Sequence, residues 1–165
     1  MTPDFIARSK NQVLAAIPAA EWRQIEPHLD WVELPLGAML YEAGVVLQHV
    51  YFPATAIVSL VSSMKDGASA EVAVVGNEGV VGVAAFMGGG RALSSAVVHS
   101  AGQALRITAE SIACCAWQSE SIMQQLLRYT QALFTHMAQT SACNRHHALD
   151  QKLCRWLLFN LDRRD

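Results

Sequence analysis

Ile57-Val58-Ser59-Leu60-Val61-Ser62-Ser63-Met64-Lys65-Asp66-Gly67-Ala68-Ser69-Ala70-Glu71-Val72-Ala73-Val74-Val75 is the stretch on which the fold turns. Two apolar, β-branched runs, Ile57–Val61 and Glu71–Val75, flank Lys65-Asp66-Gly67. An Asp-Gly pair supplies the positive φ that tight hairpin turns need, so the stretch reads as two antiparallel strands. Outward from it the pattern repeats: Met39–Tyr41, Val50–Phe52, Val80–Val83, Ala96–His99 and Gln103–Ile107 are further short runs between turn residues. All ten glycines lie between Gly37 and Gly102 and all five prolines at or before Pro53. Seven or eight short strands at roughly ten-residue spacing predict a β-sandwich or barrel in the middle third.

Helices flank that region. Asn11–Ile17 and Ala19–Leu29 predict two short helices separated by Pro18, the second carrying Trp22, Ile25 and Leu29 at three-to-four spacing. From Gln103 to Asp165 there is neither glycine nor proline, which leaves the chain free to be helical. Thr108 and Ser121 are candidate N-caps, and Ser121-x-x-Gln124 fits a capping box. The helix that follows, over about 119–147, would be roughly 40 Å long and carries two stripes. Ile122, Leu126, Tyr129, Leu133, His136, Thr140, Cys143 and His147 keep the 4-3-4-3 spacing of a coiled-coil seam, and Met123, Leu127, Phe134 and Met137 lie beside them. One stripe can dock on the barrel while the other meets a partner helix. We assign Ile122, Leu126, Tyr129, Leu133, His136, Thr140 and Cys143 to dimerisation. A last helix from Leu149 shows Leu153, Trp156, Leu157 and Leu161 on one face.

Composition limits the function classes. The chain has 165 residues, 52% hydrophobic and 16% charged, with a formal net charge of −2. Such a chain buries a real core, and its apolar surplus over what one small domain can hide predicts a subunit interface. No apolar run reaches the ~18–20 residues of a membrane helix, and the N-terminus, with Asp4 and no apolar h-region, is unlike a signal peptide. We expect a soluble, cytoplasmic protein with no membrane contact. Nucleic-acid wrapping needs a concentrated Lys/Arg surface, and none is visible. Cys114, Cys115, Cys143 and Cys154 include no C-x-x-C pair, so reduced thiols are expected, with Cys114-Cys115 read as small core residues rather than a redox device.

The order of these elements resembles the effector-binding half of the Crp/Fnr superfamily of transcription regulators. The likeness is carried by Leu34-Pro35-Leu36-Gly37, Tyr41-Glu42-Ala43-Gly44, His49-Val50-Tyr51-Phe52-Pro53 leading into Ile57-Val58-Ser59-Leu60, Gly76-Asn77-Glu78-Gly79-Val80-Val81-Gly82, and Ser94-Ser95-Ala96-Val97-Val98. It covers the chain from about Asn11 onward. The resemblance implies a mainly β fold with flanking helices: a double-stranded β-helix, or jelly roll, of the cyclic-nucleotide-binding type, followed by a long dimerisation helix. N-terminal helices (1–30) would pack on the roll (31–108), with a phosphate-cassette-like segment at 76–96 and a helical region at 109–165. In that family a winged helix-turn-helix follows, and this chain resembles a regulator without it, so DNA would be reached only through that missing domain.

The resemblance also implies where a ligand would sit. In the family's nucleotide binders a short helix offers its amides to the phosphate, a glutamate holds the ribose, and an Arg-Ser pair meets the phosphate. The cassette maps to Gly79-Val80-Val81-Gly82 and Ser94-Ser95-Ala96, with Val80 at the glutamate position and no arginine at the arginine position. Losing that charge partner removes a contact worth about 1.5–3 kcal/mol, so the usual cyclic AMP contacts are missing. Glu78 and Arg91 are the residues that could replace them. Glu78 is otherwise a turn residue capping the cassette helix, and Arg91 otherwise a solvated cation at a loop tip. The candidate pocket set is thus Glu78, Gly79, Val80, Gly82, Arg91, Ser94 and Ser95, for a small-molecule effector of unnamed identity.

Other classes have less support. A stand-alone regulator acting by pairing with other proteins remains the alternative function. A cupin-type metalloenzyme needs two alternating histidines and a glutamate on one strand, whereas Gly44…His49 is followed by Tyr51. Cys143 and His147 lie one helical turn apart near His136, Asn144 and His146, either as a metal set shared across a dimer or as polar residues at a helix end. Iron–sulfur sensing needs N-terminal cysteines, and the first cysteine is Cys114. Gly88-Gly89-Gly90 lacks the lysine and hydroxyl of a phosphate-binding loop, and no nucleophile–base pair is legible. We expect no enzyme activity, no metal and no cofactor.

Overall fold

The Asn11 side-chain oxygen takes the amides of Val13 and Leu14 and caps helix α1 (Gln12–Ala15). The computed structural model describes residues 8–64 and 67–161, with the side chains of residues 155 and 159–161 left aside. Pro18 opens α2 (Ala19–Ile25), which tightens into a 3-10 turn at Glu26–His28. Seven strands follow: β1 (Asp30–Leu34), β2 (Met39–Tyr41), β3 (His49–Pro53), β4 (Ile57–Ser63), β5 (Ser69–Val75), β6 (Ser95–Ser100) and β7 (Gly102–Thr108). Three helices close the chain: α3 (Ala109–Gln118), α4 (Glu120–His146) and α5 (Leu149–Leu161).

The strands form two antiparallel sheets, β1-β7-β3 and β2-β6-β4-β5, the jelly-roll arrangement expected from the resemblance. Leu34, Val58, Leu60, Val75, Val98 and Ala104 fill the space inside the roll. The other face of the three-stranded sheet, with Val50, Phe52, Leu105 and Ile107, is covered by α1, α2, α3 and the first half of α4. Period-two alternation along β3 and β7 therefore feeds two cores, one on each face. At Gly102 the chain crosses itself, since a Cβ there would stand 2.5 Å from the Ala56 amide nitrogen.

Several sequence expectations need correction. Val80–Val83 is not a strand: Val81 makes a single antiparallel bridge to Tyr51, and Gly82, at φ +102°, then turns the chain into a 3-10 turn at Val83–Ala85. A β-branched run cannot stay extended through a left-handed glycine. Asp30–Leu34, absent from the predicted runs, is a strand, paired along its length with β7. Ser119, not Ser121, caps α4, accepting from the Ile122 amide, while Thr108 caps α3 through Ser111 as predicted. The expected turn at Lys65-Asp66 lies outside the described residues, although the strands on either side pair from Val58–Val75 to Ser63–Ser69. Asp4 also lies outside them. No described helix is long and apolar enough to cross a membrane.

The two stripes of α4 do not divide between barrel and partner as we assigned them. Ile122 and Leu126 are fully buried and Leu133 nearly so, all within the chain's own cores, so these seam residues hold α4 on the roll. Of the neighbouring stripe, Leu127 and Phe134 are each 46% exposed, while Met123 and Met137 pack against the cores. The larger and more regular stripe gains most by burial, which places it inward. Of the vicinal cysteines, Cys115 is buried with its Sγ 3.5 Å from the Gln24 carbonyl, and burial first, then neighbouring Cys114, pushes its thiol pKa up; Cys114 is exposed.

Candidate functional site

The loop from Gly76 to Gly82 is held from three sides. The Asn11 amide nitrogen, in a fully buried side chain, donates to the Gly79 carbonyl at 2.8 Å and the Pro53 carbonyl at 3.0 Å. The Gln12 amide donates to the Asn77 carbonyl at 2.8 Å. Tyr51 and Val81 exchange hydrogen bonds of 3.0 and 2.9 Å. From the third side the ring of Tyr129 on α4 lies against Gly79, where a Cβ would come within 2.6 Å of ring atoms Cε2 and Cζ. Only glycine lets the ring so close, so this position fixes how α4 crosses the loop.

Beyond Gly82 the loop borders a cavity at the mouth of the roll. Its volume is about 50 Å³, lined by Tyr41, Leu60, Val80, Gly82, Val83 and Ser94, and closed by Leu133, Phe134 and Met137 of α4. A water takes about 30 Å³ of liquid and pockets for small ligands run about 300–1,000 Å³, so this cavity has room for a water or two and none for a nucleotide. Its lining carries no charged side chain. Tyr41 is its most polar large group. Burial raises the Tyr41 phenol pKa well above the ordinary tyrosine value, the neighbouring Tyr51 adds to the rise, and a backbone hydrogen bond from Gly82 opposes it. An opposing, pKa-lowering bond is that of an N–H donor, so the Gly82 amide points at the Tyr41 oxygen.

The structure brings together part of the predicted set. Val80, Gly82 and Ser94 line the cavity, and Leu133 reaches it from the helix. Gly79 faces Tyr129 instead. The Glu78 carboxylate accepts from the Gly76 amide at 3.1 and 3.2 Å, the geometry of a turn residue. Exposed Arg91 donates to the Gly44 carbonyl at 2.9 Å and so braces two loops. The Ser95 hydroxyl accepts from the Ala43 amide at 3.0 Å. His136, Thr140 and Cys143 line a different cavity farther along α4. Sequence reasoning missed Tyr41, Phe134 and Met137 as cavity residues; Tyr41 stood in the quoted Tyr41-Glu42-Ala43-Gly44 motif, and the other two in the second stripe.

Residues 31–115 match the family described as the cyclic nucleotide-binding domain, just over half of the chain. The chain belongs to that family. In fold this domain is similar to the N-terminal domain of a transcriptional regulator from Streptomyces coelicolor A3(2), at 16% identity and TM-score 0.59 over 86% of this chain and 99% of that one. FixK2 from Bradyrhizobium japonicum is similar at 16% identity and TM-score 0.71, over 82% and 67%. The c-di-GMP responsive global regulator CLP of Xanthomonas campestris is similar at 12% identity and TM-score 0.68, over 85% and 70%. No curated protein matches the chain. Identities this low show a shared fold.

Within the family frame, the domain's cavity offers a cyclic phosphate no cation. A phosphodiester buried without one keeps its desolvation cost and gains no charge-assisted bond. Among the described residues no group of three or more His, Cys, Asp and Glu is placed to hold a metal ion. His49, the residue a cupin reading would use, stands with its ring centroid 6.3 Å from that of Tyr51.

Proposed function

We propose that this domain is the sensory and dimerisation half of a Crp/Fnr-type transcription regulator, working as a cytoplasmic homodimer. One observation carries the reading: Phe134 lines the roll cavity, yet is 46% exposed on the outward stripe of α4. A partner helix laid along Leu127 and Phe134 would therefore press on the mouth of the cavity, and an effector could enter the closed roll only by moving Phe134 outward, against the dimer seam. That is a packed element with two arrangements, the requirement for coupling between sites. The effector is a small molecule other than a cyclic nucleotide in the usual mode, because the lining supplies no cation. The fold likeness to FixK2, CLP and the Streptomyces regulator domain supports the assignment to regulators. In this reading DNA is reached through a winged helix-turn-helix of the kind that follows the dimer helix in that superfamily.

Sedimentation velocity tests it. The wild-type chain is expected to run as a dimer at micromolar concentration, and Leu127→Glu with Phe134→Glu as a monomer with an unchanged circular dichroism spectrum. A wild-type chain that stays monomeric at every concentration, or a double variant that remains a dimer, overturns the reading.

A further inference from the structure

A larger, mostly apolar cavity lies away from the cassette. It measures about 420 Å³, within the range that takes a small organic ligand. Its floor is β5, the edge strand of the four-stranded sheet, through Ala70, Ala73 and Val74. Its walls are the last turns of α4 and the start of α5. From α5 come Leu149, Leu153 and Trp156, the last held edge-on against His99 of β6 at 5.6 Å between ring centroids. The lining is largely apolar, with a planar aromatic wall, and is open on the α5 side, where Leu149 is 82% exposed; polar groups enter at a few points.

Those polar groups define the ligand. His136, Thr140 and Asn144 recur every fourth residue along α4 and so present one polar line into the cavity. Glu71 on the floor has one carboxylate oxygen tied to the Ser59 hydroxyl at 2.6 Å. Lys152 on α5 is half-buried in the lining, and among the described residues its ammonium has no ion-pair partner; the ion pair found there is Arg106 with Asp30 across β7 and β1. An unpaired cation beside an apolar, aromatic-walled space is the complement of a small planar acid. Glu71, which lines the same cavity and makes no ion pair with Lys152 among the described residues, suits a hydrogen-bond donor elsewhere on the same molecule.

We propose that this cavity is a second effector site, independent of the roll cavity, which takes a small aromatic carboxylic acid bearing an N–H or O–H donor. The carboxylate meets Lys152, the ring packs against Trp156 and Leu153, and the donor reaches Glu71. Because α4 breaks at His147, where the backbone turns extended before α5 begins, a molecule seated here bridges both helices and β5 and fixes how α5 leaves the dimer helix.

The test titrates the full chain with indole-3-acetate, phenylacetate and indole-3-acetamide, followed by amide chemical shifts. Saturable binding of indole-3-acetate is expected, with shifts at Ala73, Thr140, Asn144 and Lys152. Phenylacetate, lacking the donor, should bind more weakly than indole-3-acetate. The amide should bind about tenfold more weakly or less than that, for want of the charge. Lys152→Met should erase the preference for acid over amide while leaving the melting temperature in place. The proposal is overturned if neither acid saturates, if acid and amide bind alike in the wild type, if the preference survives in Lys152→Met, or if the shifts gather at Val80, Gly82 and Ser94. None of these outcomes depends on whether the chain dimerises through Phe134.

Discussion

Inside the roll most of the buried side chains are small: Ala56, Ala73, Ala96 and Ala104 stand among Val58, Val75, Val81 and Val98, with Leu34, Leu60 and Leu133 the larger members. On the outer face of the three-stranded sheet they are large, with Phe52, Ile107 and Leu105 meeting Leu14, Ile17, Ile25, Ile112, Ile122 and Leu126 from the helices. Small residues let the two sheets approach and leave little space between them, which is why the cavity at the mouth shrinks to about 50 Å³. Each large side chain buried under the helices contributes about 1.5–3 kcal/mol relative to exposure. The helical cover thus holds the domain together, while the roll sets how much room a ligand finds.

Truncating one large residue of the helical layer is the strongest way to break that contrast. Phe52 is fully buried between β3 and the helices. Phe52→Ala should cost about 3–5 kcal/mol, the usual toll of an aromatic-sized hole in a core. Val58→Ala inside the roll removes only two methyl groups and should cost about 1–2 kcal/mol. Urea unfolding at matched m-values reads both. Equal losses would mean that the roll carries as much of the stability as the helices do, and the contrast would fail.

Filling the roll sharpens the comparison from the other side. Ala96 has no exposed surface and sits between Leu60 on β4 and Tyr41 on β2. If the interior is closed, Ala96→Leu forces its neighbours off their preferred rotamers and costs about 1–3 kcal/mol. A neutral or stabilising result would reveal ligand-sized room inside the roll.

How far the sequence revealed these layers depends on the kind of signal. Glycine punctuation and β-branched runs located six of the strands, because a turn glycine leaves a local mark that tertiary packing seldom overrides. Asp30–Leu34 escaped because its alternation is weak: Trp31 is 47% exposed, and only Leu34 is fully inward. Val80–Val83 misled because β-branched composition cannot report a positive φ two residues on. On α4 both stripes are apolar, and period alone says that a helix has two oily faces without saying which meets the roll. Leu127 and Phe134 emerged as the outer face only once Ile122 and Leu126 were seen to be used up by the chain's own core. In the cavity, the motif reading found Val80, Gly82 and Ser94, which lie on the cassette. It missed Tyr41, whose contact with Gly82 joins positions far apart in the chain.

That contact supplies the smallest and most specific effect. Tyr41 closes the roll cavity with its oxygen on the Gly82 amide, and Tyr41→Phe keeps the ring while deleting the bond, which should cost about 0.5–1.5 kcal/mol near pH 7. The pH dependence separates this from a simple loss of packing. Burial, followed by the neighbouring Tyr51, holds the native Tyr41 pKa above the ordinary 10.0. Above pH 10 the unfolded chain sheds that phenolic proton while the folded chain keeps it, so the unfolded state binds fewer protons and stability falls as pH rises. The contribution is complete below the unfolded value and is lost upward from there. Tyr51, whose pKa burial also raises, titrates alike in both proteins and cancels in the difference. The gap between wild type and Tyr41→Phe should therefore be constant from about pH 7 to 9 and close, or invert, above about pH 10. Denaturation at pH 8 and pH 11 measures it. Parallel stabilities at the two pH values would place the phenol in water rather than in the roll, and the cavity mouth would then be open.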